Sequence, residues 1–238
     1  MLPKDAQANG LAAAKAGPSR ESAPPERIKH PRTVHLPWSR SRSRDDVSAD
    51  SLDFLNGEIV VTEKLDGENT TIYSDGFSHA RSIDSGYHSS RSRVGALAAA
   101  ISSDIPAGWR VCGENMQARH TLAYEQVPHF LVHSVWNQQN CALSFADTEE
   151  FCHQLGLVPV PVLYRGRSSP AELKLLNSNS GAYGPAEGYV VRAAGEIDYQ
   201  DWSSQVGKYV ASGFQIDSGH WIKNWQPNNL LPALERRA

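Results

Sequence analysis

Cysteine is scarce in this 238-residue chain: only Cys112, Cys141 and Cys152, an odd and widely spaced set. That excludes a disulfide framework and suits reduced thiols in a cytoplasmic protein. Cys152-His153 follows Cys141, but no C-x-x-C pair supports a zinc site, so these read as buried structural cysteines. His88, His120 and His220 lack the tight spacing of metal ligands and read as polar fillers or substrate contacts. No apolar run approaches the ~20 residues of a membrane helix. Met1 to Ala16 carries Lys4, Asp5 and Lys15 and lacks the apolar core of a secretory signal. Internal repeats are absent. What remains, 40% hydrophobic and 8% aromatic residues, describes a soluble globular chain long enough to bury a core.

A net charge of −3 hides an uneven distribution. Up to Arg44 the chain is basic, through Arg20, Arg27, Lys29, Arg32, Arg40, Arg42 and Arg44; carboxylates dominate later. A basic arm of this kind neutralises phosphates and adds salt-dependent affinity for nucleic acid. Ser39-Arg40-Ser41-Arg42-Ser43-Arg44 reads equally well as a solvated loop.

The organisation expected is a disordered tail over 1–26, a basic extended lead-in over 27–51, a folded body over 52–225 and a C-terminal tail over 226–238. The tail is rich in Ala, Pro, Ser and Gly and cannot bury enough surface to offset its ordering entropy. In the body, Glu58 to Glu63 reads as a β-branched strand, with Thr70 to Tyr73 as its partner after a loop. Asp75-Gly76 signals a hairpin turn into Ser78 to Arg81. Val94, Leu97, Ala98 and Ile101 place a helix over Ser92 to Ile101. Trp109 to Cys112 and Phe130 to Trp136 read as buried strands. Ser144, the early acids and Gly156 bound a helix over Ala146 to Leu155. Ser169-Pro170 caps a helix over Ala171 to Leu176. Asn177 to Gly184 is a turn-rich loop, and Glu187 to Ala193 and Val206 to Val210 complete the strands. Hairpin-linked strands with a few helices predict an α+β domain on antiparallel sheets.

Lys64-Leu65-Asp66-Gly67-Glu68-Asn69 carries the chemistry. A lysine at a strand end is presented from a rigid element, and Asp66-Gly67 provides a tight turn that faces the amine inward. Lysine is a poor nucleophile while protonated, with a reference pKa of roughly 10.4. It becomes useful where a cation, a metal or desolvation lowers that value. A neutral Lys64 can attack the α-phosphate of a nucleoside triphosphate and expel pyrophosphate, with Lys208 and a metal at Glu187 absorbing charge.

Lys64 to Asn69, then Cys112-Gly113-Glu114-Asn115, Phe130 to Trp136, Glu187 to Arg192 and Gly207-Lys208-Tyr209-Val210 form an ordered series. It resembles the ATP-dependent RNA ligases of the covalent nucleotidyltransferase superfamily, over about Arg27 to Trp221. Asp84 to Arg91, Pro31-Arg32-Thr33, His35-Leu36-Pro37 and His220-Trp221 are similar to segments of the bacterial RNA ligase subfamily. The resemblance implies an antiparallel-sheet nucleotidyltransferase (ATP-grasp-like ligase adenylation) fold. It implies Lys64 as nucleophile, Glu63 at the adenine, Arg81 at the nucleotide and nucleic-acid end, Glu114 at the ribose and Lys208 at the α-phosphate. Glu187 is the implied metal carboxylate, and Asn69 and Arg91 are implied substrate contacts. The implied cofactors are ATP with Mg2+ or Mn2+; the implied partner is RNA with nicked or broken ends, in RNA repair.

Two departures stand out. His133 occupies the place of a phenylalanine that stacks on the purine; imidazole has less area and a titratable charge. Asn137 stands where the family tends to have aspartate. Other readings of the series are a DNA ligase, a GTP-using capping-type enzyme, and a nucleotide- or RNA-binding domain with a decayed site. Glu187 and Arg192 could instead form a structural ion pair, and the arginine-serine arm could be the functional part.

Overall fold

Residues 26–39, 46–176, 180–211 and 225–232 are described by the computed structural model of the chain. Most of the expected tail, together with Arg40, Arg42 and Arg44 of the basic arm and His220-Trp221, lies outside the described residues.

β-Branched and aromatic runs supply the strands. In chain order they are β1 (Val34–His35), β2 (Ile59–Lys64), β3 (Glu68–Tyr73), β4 (Ser78–Ala80), β5 (Arg110–Asn115), β6 (Phe130–Trp136) and β7 (Cys141–Ala142). Then come β8 (Val158–Pro159), β9 (Val162–Gly166), β10 (Ser180–Gly181), β11 (Gly184–Pro185), β12 (Gly188–Ala193), β13 (Ile197–Asp198) and β14 (Val206–Val210). One sheet runs β1-β14-β12-β2-β9; a second runs β13-β7-β6-β5-β3-β4 with β8 beside β6. Most pairings are antiparallel, β1–β14 and β6–β8 being parallel. The α+β antiparallel class read from the sequence holds.

Alternation along β2 divides the interior, because successive side chains point to opposite faces. Ile59 and Val61 pack with Tyr189, Val191 and Leu173 on the outside of the first sheet. Val60 joins Leu131, Phe145 and Val160 in the layer between the sheets. On the far side of the second sheet, α1 (Ser92–Ile101) and α2 (Phe145–Leu155) bury Val94, Ala98, Ile101, Phe151 and Leu155. Ser144 caps α2 by accepting from Asp147 N, and Gly156 ends it in the left-handed conformation, as its sequence signals indicate. A capping box of Ser169 and Glu172 starts α3 (Pro170–Leu175). The short α4 (Trp202–Gln205) precedes β14.

Residues 27–39 form a strap that joins both sheets. Arg27 lies over the rings of Tyr73 and Phe77 at 4.6 and 4.2 Å and pairs with Asp75 beyond β3. Further on, β1 aligns Val34 with Gly207 and His35 with Lys208, and Leu36 N donates to Lys208 O at 2.8 Å. At the other end, Asn228 is buried and donates to Met116 O and Ala118 O. Strand β9 was not anticipated from the sequence, because Val162 to Gly166 lacks a buried alternation and half-covers the sheet edge.

Candidate active site

A cavity of about 330 Å3 opens between the sheets, a volume within the range of small-molecule sites. Lys64, Asn69, Arg81, Glu114, His133 and Lys208 all border it. Each arrives from a different strand or strand end, so the sheets rather than one loop fix their spacing. Lys64 is the last residue of β2, and its register partner is Gly188, directly after Glu187. A Cβ on Gly188 would stand 2.0 Å from Tyr209 O, so only glycine lets β12 and β14 close here.

The loop after Lys64 is held from below. Asp66 accepts from Thr121 N and Leu122 N at 2.7 and 2.8 Å, and Asp66 N donates to Tyr124 Oη. Gly67 is required for a reason other than the turn. Its backbone is not left-handed, but a Cβ there would meet Met116 Sδ at 2.7 Å and Asn115 O at 3.0 Å.

The Lys64 ammonium donates to Glu187, and both side chains are largely buried. Burial alone would lower its pKa, but Glu187, then Glu114 and Asp66, outweigh that and hold it above the ordinary lysine value. The expectation of a neutral Lys64 is therefore corrected: in the free protein the amine keeps its proton, because carboxylates surround it. The Glu187–Arg192 pair is corrected too. Arg192 donates instead to the carbonyls of Leu143, Ala193 and Gly195. Desolvation, then the Lys64 charge, lowers Lys208. Burial raises Glu114 to about 8, so near neutral pH it is largely protonated and can donate a hydrogen bond.

Away from the carboxylates around Lys64 the cavity changes character. Here His133, His30, Phe145, Val160, Val190 and Trp202 border it. His133 is aimed by a β-bulge: Cys112 faces Ser134 and Gly113 faces Val132, which leaves His133 as the extra residue of β6. Gly113 makes this possible, since a Cβ would lie 2.4 Å from Leu131 O. Burial, then Arg192, lowers His133 to about 4. The titratable charge expected of this residue is thus absent near neutral pH.

Glu63 alternates away from Lys64 and Thr62, and its Oε2 accepts from Ala182 N at 2.9 Å on the opposite face. It is among the residues that border the cavity. Arg81 is exposed at the rim. Arg91 is not brought to the cavity wall; its guanidinium forks onto Glu68 and donates to Gly86 O at 2.6 Å. Asn137 Oδ1 accepts from Gln139 N and Cys141 N and only shapes a turn. Sequence reasoning missed His30, Asp66, Ser134 and the His35–Asp46 pair at 3.3 Å, which lies on the cavity wall. Asp66 lay inside the lysine motif, Ser134 inside Phe130 to Trp136 and His35 inside His35-Leu36-Pro37; His30 and Asp46 carried no signal.

Two antiparallel sheets enclosing a strand-end lysine among carboxylates and a second lysine define an α+β nucleotidyltransferase fold of the ligase type. The RNA ligase family model matches residues 57–210, well over half of the chain. The chain belongs to the RNA ligase family. Among solved structures it is similar to an archaeal ATP-dependent RNA ligase at 17% identity and a TM-score of 0.50, covering 68% of this chain and 45% of that one. It is also similar to a Naegleria gruberi RNA ligase with PPi at 16% identity and a TM-score of 0.50, covering 79% and 61%. The chain thus spans about half the length of the solved structures it matches. No curated protein matches it. No helix among the described residues is long and apolar enough to cross a membrane.

Proposed function

We propose that this chain is the adenylating unit of an ATP-dependent RNA ligase acting through a covalent lysyl-AMP. The observation that carries the reading is Lys64, contacting Glu187 in a cavity bordered by Glu114 and Lys208. The Lys64 ammonium, part of whose side chain reaches solvent, loses its proton to water, and the neutral amine attacks the α-phosphorus. A phosphoramidate N–P bond forms as the bond to pyrophosphate breaks. Lys208 neutralises charge on the α-phosphate oxygens, and protonated Glu114 donates to a ribose oxygen. The adenine stacks on His133. The AMP then passes to an RNA 5′-phosphate, and a 3′-hydroxyl displaces it to seal the strand.

No group of three or more His, Cys, Asp or Glu among the described residues makes a protein-only cage for a metal. Mg2+ commonly binds through one or two carboxylates plus phosphates and water, and Glu187 suits that role. A bound Mg2+ or Mn2+ would supply charge neutralisation at the phosphates. The family's RNA ends, repair of nicks or breaks, and a cytoplasmic setting belong to the same proposal.

Intact mass after incubation with ATP and magnesium tests it. Wild type gains an AMP-sized increment, GTP gives none, and Lys64→Ala gains nothing. RNA binding without any adduct would instead favour a decayed nucleotide- or RNA-binding domain.

A further inference from the structure

The strap carries His30 into the base end of the cavity. Its ring lies 4.8 Å from His133 and 5.1 Å from Trp202, edge-on to both. The hydrogen bonds here form one directed row. His30 Nδ1 lies 2.9 Å from Pro31 O, and a carbonyl only accepts, so Nδ1 carries the proton. His30 Nε2 is then a lone pair, and its partner is Ser134 Oγ at 3.4 Å, which must donate. A hydroxyl has one proton; with it on His30, Ser134 accepts from Trp136 Nε1 and His133 Nδ1, both at 3.0 Å, while the Cys112 thiol, which also meets Ser134, turns its own proton to Thr71 Oγ1. His133 therefore holds its proton on Nδ1 and presents a lone pair at Nε2. That lone pair receives Asn69 Nδ2 at 3.0 Å. The row ends on Asn69 Oδ1, which is buried without a protein partner, on a residue bordering the cavity.

We propose that the strap sets the hydrogen-bond polarity of the cavity. His30 is a positioning residue that, through Ser134 and His133, turns the Asn69 amide so that its oxygen accepts from an N–H or O–H of the bound nucleotide. The inference rests on the nucleotide reading of the cavity given above. Without His30 the single Ser134 proton can turn to His133 Nδ1. His133 then carries its proton on Nε2, Asn69 must offer its oxygen to the ring, and an NH2 donor faces the ligand instead. The polarity at the cavity wall inverts although no ligand-contacting residue has changed.

The test uses the full chain and α,β-methylene-ATP, which cannot transfer its nucleotide to Lys64. Side-chain 15N NMR of the wild type should show His133 as the Nδ1–H tautomer; an Nε2–H tautomer would overturn the proposal without any variant. His30→Phe keeps a ring in place but accepts no hydrogen bond. It should shift His133 toward Nε2–H and weaken binding roughly 10-fold, the value of one hydrogen bond. His30→Gln, whose amide oxygen can accept from Ser134, should recover most of that loss. Asn69→Leu should also weaken binding, and the double variant with His30→Phe should bind no worse than Asn69→Leu alone, since both break one row. Independent, multiplying losses, or wild-type affinity in His30→Phe, would overturn the inference while leaving the adenylation reading intact. A wild type that binds no nucleotide would overturn both.

Discussion

Glu187→Gln removes the carboxylate that most favours the Lys64 proton while keeping the side-chain shape. Lys64 and Glu187 side chains are 22% and 10% exposed, so the pair is mostly but not wholly out of water. Breaking a buried pair by removing one partner costs about 3–5 kcal/mol; partial exposure and the remaining Glu114 and Asp66 place the expected loss at about 2–3 kcal/mol near neutral pH. The pH dependence has a definite sign. In the wild type Lys64 is raised, so its contribution is fully present below the unfolded lysine value and is lost only as pH rises through the folded one. In the Glu187→Gln variant the desolvation of the amine dominates and its folded pKa drops below the unfolded value. The variant then sheds the proton earlier than its unfolded chain and gains stability as pH rises between the two values. Urea unfolding at several pH values from about 6 to about 10, spanning neutrality and the lysine range, should show the deficit shrinking with pH. Adding Lys64→Met should abolish that pH dependence. A deficit that stays constant with pH, or one below about 0.5 kcal/mol, refutes the assigned electrostatics.

Glu114→Gln keeps a neutral group in place of a carboxyl raised to about 8. Wild-type stability should therefore decline as pH rises from the usual carboxylate range to about 8, whereas the variant loses that slope; parallel stability curves would refute the raised value. Gly113→Ala forces a Cβ against Leu131 O and Phe130 at the β6 bulge and should cost about 2–3 kcal/mol in chemical denaturation. A neutral outcome would mean that β5 and β6 can separate freely. Arg91→Ala leaves Glu68 without its forked partner and should destabilise by about 2 kcal/mol. Arg91→Lys should recover only part, since lysine cannot match the two-point geometry; full recovery would argue against the fork.

Local signals were legible where one short stretch contained its own cause. Ser92–Ile101, Phe130–Trp136 and Val206–Val210 lie where periodicity and β-branched runs put them. Caps at Ser144 and Ser169 start helices because a side chain there satisfies an amide three residues on. The lysine motif likewise announced a strand-end amine. Gly67 was legible as a required glycine but not for its reason, since contact with Met116 and Asn115 is invisible locally. Arg91 looked like a substrate arginine in its segment, yet Glu68 lies 23 positions away and only the fold joins them. The strap gave no periodic signal at all, because its residues are ordered by Tyr73, Trp202 and β14 rather than by each other.

By itself the sequence determined the α+β class and the placing of Lys64 at a strand end, because these depend on local pattern and residue type. Tertiary structure alone decided the charge on that amine, the neutrality of His133 and the direction of the hydrogen bonds reaching Asn69. Protonation and hydrogen-bond polarity depend on burial and on which groups meet within a few ångströms. Chain separation places no limit on such meetings: Lys64 and Glu187 are 123 residues apart, and Ser134 and His30 are 104.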